Sequence, residues 1–170
     1  MTSSPHLESE REGGRGDTQS RAGHASLRHS PPIILVVDDH ASIRETLGAI
    51  LRLEDYEVRL ACDGHEGVRQ FLQGPPDLIL LDLSLPDING WQVFQIMAEM
   101  YPFVPVIVIT AHAGQARRAA ELGIDMLMEK PLDIPTLLGH IRRLLARPDT
   151  AHLAKVLHVW RTRDLLGTQE

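Results

Sequence analysis

The stretch that decides the fold is IILVVDD at residues 33–39, five aliphatic residues followed by two aspartates. Such an unbroken apolar run is typical of a strand buried on both faces, as strands of parallel sheets are. Four further short runs rich in apolar residues follow along the chain, at residues 57–61, 77–81, 105–109 and 125–128. The sequence therefore predicts five buried strands.

Segments with helical spacing separate these runs. After the first run, for example, Ile43, Leu47 and Leu51 recur every four residues, and Asp133 before Pro135 predicts the start of the last helix. Strands that alternate with helices require parallel pairing and right-handed crossovers. We therefore expect an α/β fold: a doubly wound five-stranded parallel sheet in the flavodoxin-like order 2-1-3-4-5, with helices on both faces.

The chain divides into three parts by composition. Residues 1–32 contain two leucines and no aromatic residue, so we expect a disordered N-terminal arm. Residues 33–147 carry the five strand-helix units and are expected to form one domain. Residues 148–170 contain four apolar residues at helical spacing: Leu153, Val156, Leu157 and Trp160. They predict a short amphipathic helix that either folds back on the domain or meets a partner.

Charge and cysteine content narrow the classes of function. The net charge is −6, and all of the excess lies in residues 33–147, which hold sixteen acids against ten bases. An acidic domain is poorly suited to bind DNA through phosphates, and the last 23 residues are too few for a helix-turn-helix output domain. One cysteine, Cys62, gives no disulfide framework, and we expect it to fill the core. With no membrane-spanning apolar stretch or secretion signal, the sequence predicts a cytoplasmic protein.

Polar residues follow the predicted strands at the edge where parallel sheets bind their ligands. They are the pair Asp38 and Asp39 after the first strand, Asp82 after the third, Thr110 after the fourth and Lys130 after the fifth. Three carboxylates at one edge repel each other by roughly 3 kcal/mol per pair at about 5 Å, for an effective dielectric constant near 20. Lys130 supplies one compensating charge, and Mg²⁺ suits the remaining oxygen ligands. A carboxylate beside Mg²⁺ and an ammonium can accept a phosphoryl group, and central Asp82 is our candidate nucleophile.

Four motifs resemble the receiver domains of two-component response regulators, the CheY-like phosphoacceptors. They are ILVVDD at 34–39, LILLDLSLPDING at 78–90, PVIVITA at 105–111 and MEKP at 128–131. The resemblance covers about residues 33–146, and the motifs come in the family's order. It implies a single-domain response regulator, a phosphoprotein that takes a phosphoryl group from a histidine kinase or phosphotransfer protein. Apart from this self-catalysed phosphotransfer and a slow autodephosphorylation, it implies no enzyme activity.

The resemblance also assigns a role to each site residue. Asp82 is expected to form the aspartyl phosphate and, with Asp39 and the backbone carbonyl of Ser84, to bind Mg²⁺. Asp38 is expected to hold the waters of the metal. Thr110 is expected to hydrogen-bond the phosphoryl oxygens, and Lys130 to pair with Asp82 and later with the phosphoryl group. The bond from Lys130 to Pro131 is expected to be cis, and Gly90 to begin the third helix.

Two features depart from the family pattern and bear on signal output. Leu127 stands three residues before the lysine, where receivers commonly carry an aromatic residue that turns inward during activation. The interval of twenty residues from Thr110 to Lys130 is shorter than is usual, which should shorten the fourth helix or its loops. We expect signalling by docking to a downstream protein, without direct DNA binding or membrane contact, and homodimer formation stays open.

Two other functions fit parts of the pattern. A phosphatase of the haloacid-dehalogenase type also forms an aspartyl phosphate, but it usually places a second aspartate two residues beyond the nucleophile, where this chain has Ser84. A receiver-shaped scaffold that is never phosphorylated is the other alternative. The aspartates could also be solvated helix caps and Lys130 a surface lysine, in which case no site exists.

Overall fold

Strands and helices alternate along residues 30–146, the part of the chain that the computed structural model describes. The strands are β1 Ile33–Val37, β2 Glu57–Ala61, β3 Leu78–Asp82, β4 Val106–Thr110 and β5 Met126–Glu129. The helices are α1 Ala41–Leu53, α2 Gly64–Gln73, α3 Gly90–Met100, α4 Ala116–Glu121 and α5 Ile134–Leu145. Most of the arm predicted for residues 1–32 and all of the helix predicted within 148–170 lie outside the described residues.

The five strands form one sheet in the order β2-β1-β3-β4-β5, and every neighbouring pair is parallel. This order confirms the flavodoxin-like prediction. The order reverses between β1 and β3, so the carboxyl ends of these two strands border the crevice where such sheets bind ligands. No helix within residues 30–146 has the length and apolar character needed to cross a bilayer.

Two apolar layers cover the sheet, one on each face, because successive side chains of a strand point to opposite sides. Leu35, Val37, Ile79, Leu81 and Val108 pack under α2, α3 and α4. The alternate residues of these strands pack under α1 and α5: Ile34, Val36, Leu78, Leu80, Ile107 and Ile109. Helices therefore lie on both faces, as predicted.

Three strands begin and end one residue later than the apolar runs indicate. Polar residues end β3, β4 and β5 because sheet pairing continues through them, as in the pairs Asp82↔Ile109 and Thr110↔Glu129.

The prediction that Cys62 fills the core is wrong. Cys62 is exposed, since it lies just past the end of the edge strand β2, and its N–H donates to Glu66 Oε2 at 2.8 Å.

Side-chain hydrogen bonds to backbone N–H groups fix the residues at which α3 and α5 begin. Asn89 Oδ1 accepts from the Trp91 N–H at 2.8 Å, and Gln92 Oε1 accepts from the Asn89 N–H at 3.3 Å. Together these bonds form a capping box at the start of α3. Asp133 caps α5 through the Thr136 N–H at 3.0 Å, and Pro135 lies in the first turn. Both helix starts agree with the sequence prediction.

Gly90 brings the start of α3 against the end of β3, and this contact predicts a large effect for Gly90→Ala. A Cβ at this position would lie 2.4 Å from the Asp82 carbonyl oxygen and 2.6 Å from Leu83 Cα. Both atoms are backbone, so they cannot turn away, and we expect a loss of about 3 kcal/mol in the free energy of unfolding, the upper part of the range for overpacking. Urea denaturation measures it.

Gly139→Ala is the matched control, because a Cβ there meets nothing within 4 Å. Gly139 lies inside α5, so alanine should stabilise the domain by about 0.5–1 kcal/mol. Equal stability of Gly90→Ala and the wild type would contradict the close approach of α3 to β3.

Candidate functional site

Asp38 and Asp39 follow β1 and differ sharply in burial. The Asp38 side chain is 3% exposed, whereas that of Asp39 is 29% exposed. Both oxygens of Asp38 are bonded: Oδ1 accepts from the His40 N–H at 2.8 Å, and Oδ2 accepts from Lys130 Nζ at 3.0 Å. Asp38 is therefore held in place by the protein, while Asp39 faces outward.

Asp82 is the last residue of the central strand β3, and its side chain is 1% exposed. Its Oδ1 accepts from the Ser84 N–H at 3.0 Å, and its Oδ2 accepts from Lys130 Nζ at 2.6 Å. The nearby backbone is fixed as well, because the Leu83 N–H donates to the Ile109 carbonyl of β4 at 3.2 Å. The carboxylate thus has a fixed orientation beside an ammonium group.

Lys130 follows β5 and bridges the two buried aspartates. Burial alone would lower the pKa of its ammonium, but hydrogen bonds to Asp82 and Asp38 outweigh this and raise the pKa above its ordinary value. The Lys130 N–H donates to the Thr110 carbonyl at 2.8 Å, and the bond to Pro131 is cis, as the family resemblance implies. Lys130 is therefore charged at neutral pH and held at the sheet edge.

Thr110 ends β4 and is fully buried. Its Oγ1 accepts from the His112 N–H at 3.0 Å, so the hydroxyl turns back toward the following loop. The register places Thr110 one residue beyond the partner of Asp82, on the adjacent strand. The sheet thus brings the five predicted residues to the same edge, with direct contacts between Lys130 and both buried aspartates.

The carboxylates at this edge fit a divalent cation. Ligand atoms of Asp38, Asp39, His40 and Asp82 all lie within 4.8 Å of one another. Carboxylate oxygens are the donors that Mg²⁺ takes in proteins, and it keeps waters where the protein offers few ligands. The site opens into a cleft of about 560 Å³, lined among others by Asp39, Ser84, Asn89, Trp91, His112 and Arg118.

Several residues around the site were not predicted. His40 adds a nitrogen to the oxygen cluster, and the Arg118 guanidinium lies 5.0 Å from the centre of the buried Trp91 ring.

Asp87 accepts from the N–H groups of Gly64 at 2.9 Å and His65 at 2.7 Å. Burial acts to raise the pKa of Asp87, but these bonds lower it well below its ordinary value, so its carboxylate ties the loop after β3 to α2. Of these residues, His40 could have been predicted as part of the site, because it directly follows Asp38 and Asp39 in the sequence.

This fold is that of the flavodoxin-like class of α/β proteins, whose members bind ligands outside the carboxyl ends of the strands, where the strand order reverses. Residues 34–142 match the model of the response regulator receiver domain, and the chain belongs to this family. Receiver domains are signalling phosphoacceptors that partner with histidine kinases and bind Mg²⁺ through acidic residues.

Solved structures of receiver domains resemble the described fold. A CheY-like receiver domain protein from Methanospirillum hungatei has a TM-score of 0.66 at 30% identity, over 68% of this chain and 94% of that one. The non-phosphorylated HemR receiver domain from Leptospira biflexa has a TM-score of 0.64 at 33% identity, over 69% of this chain and 98% of that one. TrrA from Thermotoga maritima, solved with Mg²⁺ and BeF, has a TM-score of 0.62 at 30% identity, over 66% and 98%.

Curated relatives are longer than the matched part. The DNA-binding dual master transcriptional regulator RpaA from Synechocystis sp. is 36% identical over 123 residues, which is 69% of this chain and 51% of that protein. The response regulator MprA from Mycobacterium leprae is 36% identical over 122 residues, or 69% of this chain and 54% of that protein. The chain thus spans about half the length of these relatives.

Proposed function

We propose that this protein acts as a response regulator whose receiver domain accepts a phosphoryl group on Asp82 in a Mg²⁺-dependent reaction. The donor is a histidine kinase or a phosphotransfer protein. The observation that carries the proposal is the contact of Lys130 Nζ with Asp82 Oδ2 at 2.6 Å beside the buried Asp38. A buried carboxylate paired with a lysine, at an edge that carries further acids, is suited to take up a charged phosphoryl group.

Each residue contributes one part of the transfer. A carboxylate oxygen of Asp82 forms the new P–O bond while the bond from phosphorus to the donor breaks, and the donor group leaves with that electron pair. Lys130 neutralises negative charge on the transferred group, and the Thr110 hydroxyl donates to one of its oxygens. Asp39, Asp82 and the Ser84 carbonyl would hold Mg²⁺, which neutralises phosphoryl charge when bound, while Asp38 orients Lys130.

Acetyl phosphate tests the reaction without a partner. With Mg²⁺, the wild-type protein should gain the mass of one phosphoryl group, and excess chelator should prevent the gain, because the carboxylates then repel the anionic donor. Intact-mass spectrometry measures the gain, and peptide mapping should place it on residue 82. A modification that is equally fast with chelator would refute the metal-dependent mechanism.

The same measurement separates the alternatives. A phosphatase would turn over many equivalents of donor. The sequence argues against this alternative, because Ser84 stands at the position where such enzymes need a second acid. A scaffold that acts by binding alone would gain no mass. We propose slow autodephosphorylation as the sole hydrolytic activity.

The downstream partner is proposed to be a protein that docks on the phosphorylated domain. RpaA is named as DNA-binding, but the matched region covers only about half of it, and the absence of direct DNA binding stays a prediction here. A cytoplasmic location and the absence of membrane contact likewise stay predictions, and homodimer formation stays open. A pull-down with and without beryllofluoride would identify partners that read the active state.

A further inference from the structure

His40 places an imidazole next to the proposed metal site. Its Nδ1 lies 2.7 Å from Asp39 Oδ1 and 3.6 Å from Asp38 Oδ1, and its side chain is 60% exposed. His40 precedes α1, but its side chain makes no capping hydrogen bond to that helix. The ring is therefore oriented by the acidic pair, and it is the one nitrogen donor among the four residues of the cluster.

The spacing of the cluster suits one shared ion. Around a cation with six ligands at about 2.1 Å, adjacent ligands lie about 3.0 Å apart and opposite ligands about 4.2 Å apart. The four ligand atoms lie within 4.8 Å of one another, and the closest approach of His40 is to Asp39. Small side-chain movements can thus bring Nδ1 into the coordination sphere, in place of a water.

Hydrogen bonds engage the donors of the cluster unequally, although a carboxylate oxygen that accepts one hydrogen bond keeps a second lone pair for a metal. Both oxygens of Asp38 are already bonded to protein groups, and Asp82 is bonded to Ser84 and Lys130. Asp39 and His40 are the more exposed members and contact each other. A cation that displaces the bond between them gains one carboxylate and one imidazole.

Imidazole changes the metal preference of such a site. Carboxylate, carbonyl and water suit Mg²⁺, whereas imidazole favours the later divalent transition metals, whose affinities rise from Mn²⁺ to Cu²⁺. We propose that His40 Nδ1 is a direct ligand when this site holds a divalent transition metal, so that the site favours Co²⁺ over Mg²⁺ more strongly than its oxygen ligands alone would. This inference rests on the metal site of the proposed function.

Calorimetric titrations of the full chain with Co²⁺ and with Mg²⁺ test the inference. The ratio of the two affinities should fall by at least about tenfold in His40→Gln, since even residues that only support a ligand have effects of this size. His140→Gln, a histidine on α5 outside the cluster, should keep the wild-type ratio. In Mn²⁺-loaded wild type, pulsed EPR should detect a directly bound nitrogen that is lost in His40→Gln.

Two controls tie the bound ion to this site. Co²⁺ should be displaced by excess Mg²⁺, and Asp39→Asn should weaken both ions. An unchanged affinity ratio in His40→Gln, or undiminished Co²⁺ binding in Asp39→Asn, would overturn the inference. The proposed function fails separately, when Mg²⁺ does not bind or Asp82 is not phosphorylated; an unchanged ratio with phosphorylation intact refutes the role of His40 alone.

Discussion

Asp82→Asn is expected to gain no phosphoryl group from acetyl phosphate and Mg²⁺, whereas the wild type gains one. The amide of asparagine has nearly the shape of the carboxylate, but it lacks the charge and the nucleophilic oxygen that the transfer requires. The measurement is intact mass after equal incubation of both proteins. The expected effect is complete loss, the largest that we predict for activity.

The loss is informative only if the variant remains folded. Asparagine can keep one of the two hydrogen bonds that Asp82 accepts, from Ser84 or from Lys130, and it removes one charge from the cluster. We therefore expect a folded domain with the circular dichroism of the wild type. Asp133→Asn is the matched control, because asparagine caps a helix about as well as aspartate and Asp133 lies at the start of α5. Equal labelling of Asp82→Asn and the wild type would refute the assignment.

The fold was predictable because the central strands β1, β3 and β4 are nearly continuous apolar runs, and helical spacing separates all five strands. The residues at which the strands end were harder to predict, since periodicity does not reveal that backbone pairing extends through Asp82 and Thr110. Cys62 illustrates the same limit. It follows the edge strand β2 directly, and only the geometry of the strand end turns it toward solvent.

The site residues were predictable from their positions at strand ends, but their contacts were not. The sequence presents Asp38 and Asp39 as equivalent neighbours, whereas the fold buries Asp38 against Lys130 and leaves Asp39 facing the cleft. This difference arises because the Asp38 N–H continues the pairing of β1 with the Ala61 carbonyl of β2 at 3.2 Å. Contacts of this kind depend on register and packing, which a sequence pattern does not specify.

Lys130→Met is expected to destabilise the metal-free domain by about 3–5 kcal/mol, the usual cost of removing one partner from a buried ion pair. The variant keeps the length of the side chain but removes the ammonium that both Asp38 and Asp82 contact, and those carboxylates are 3% and 1% exposed. For a domain with a total stability of about 5–15 kcal/mol, this loss is large. Urea denaturation in the presence of chelator measures it.

The pH dependence follows from the raised pKa of Lys130. A raised pKa in the folded state means that the contribution of the ammonium is complete below its ordinary pKa of 10.5 and is lost as the pH rises through the higher folded value. The difference in stability between the wild type and Lys130→Met should therefore be constant from neutral pH to about 10, and it should shrink above that. Arg117→Met, which breaks an exposed pair with Glu121, should cost less than about 1 kcal/mol.

A second substitution identifies the cause of the loss. If the destabilisation of Lys130→Met comes from uncompensated carboxylates, then adding Asp82→Asn should restore part of the stability, because one of the two buried charges is removed. Mg²⁺ should also restore stability, by supplying positive charge at the same edge. If the double variant is as unstable as the sum of the single losses, the lysine acts through packing, and the electrostatic account of this site is wrong.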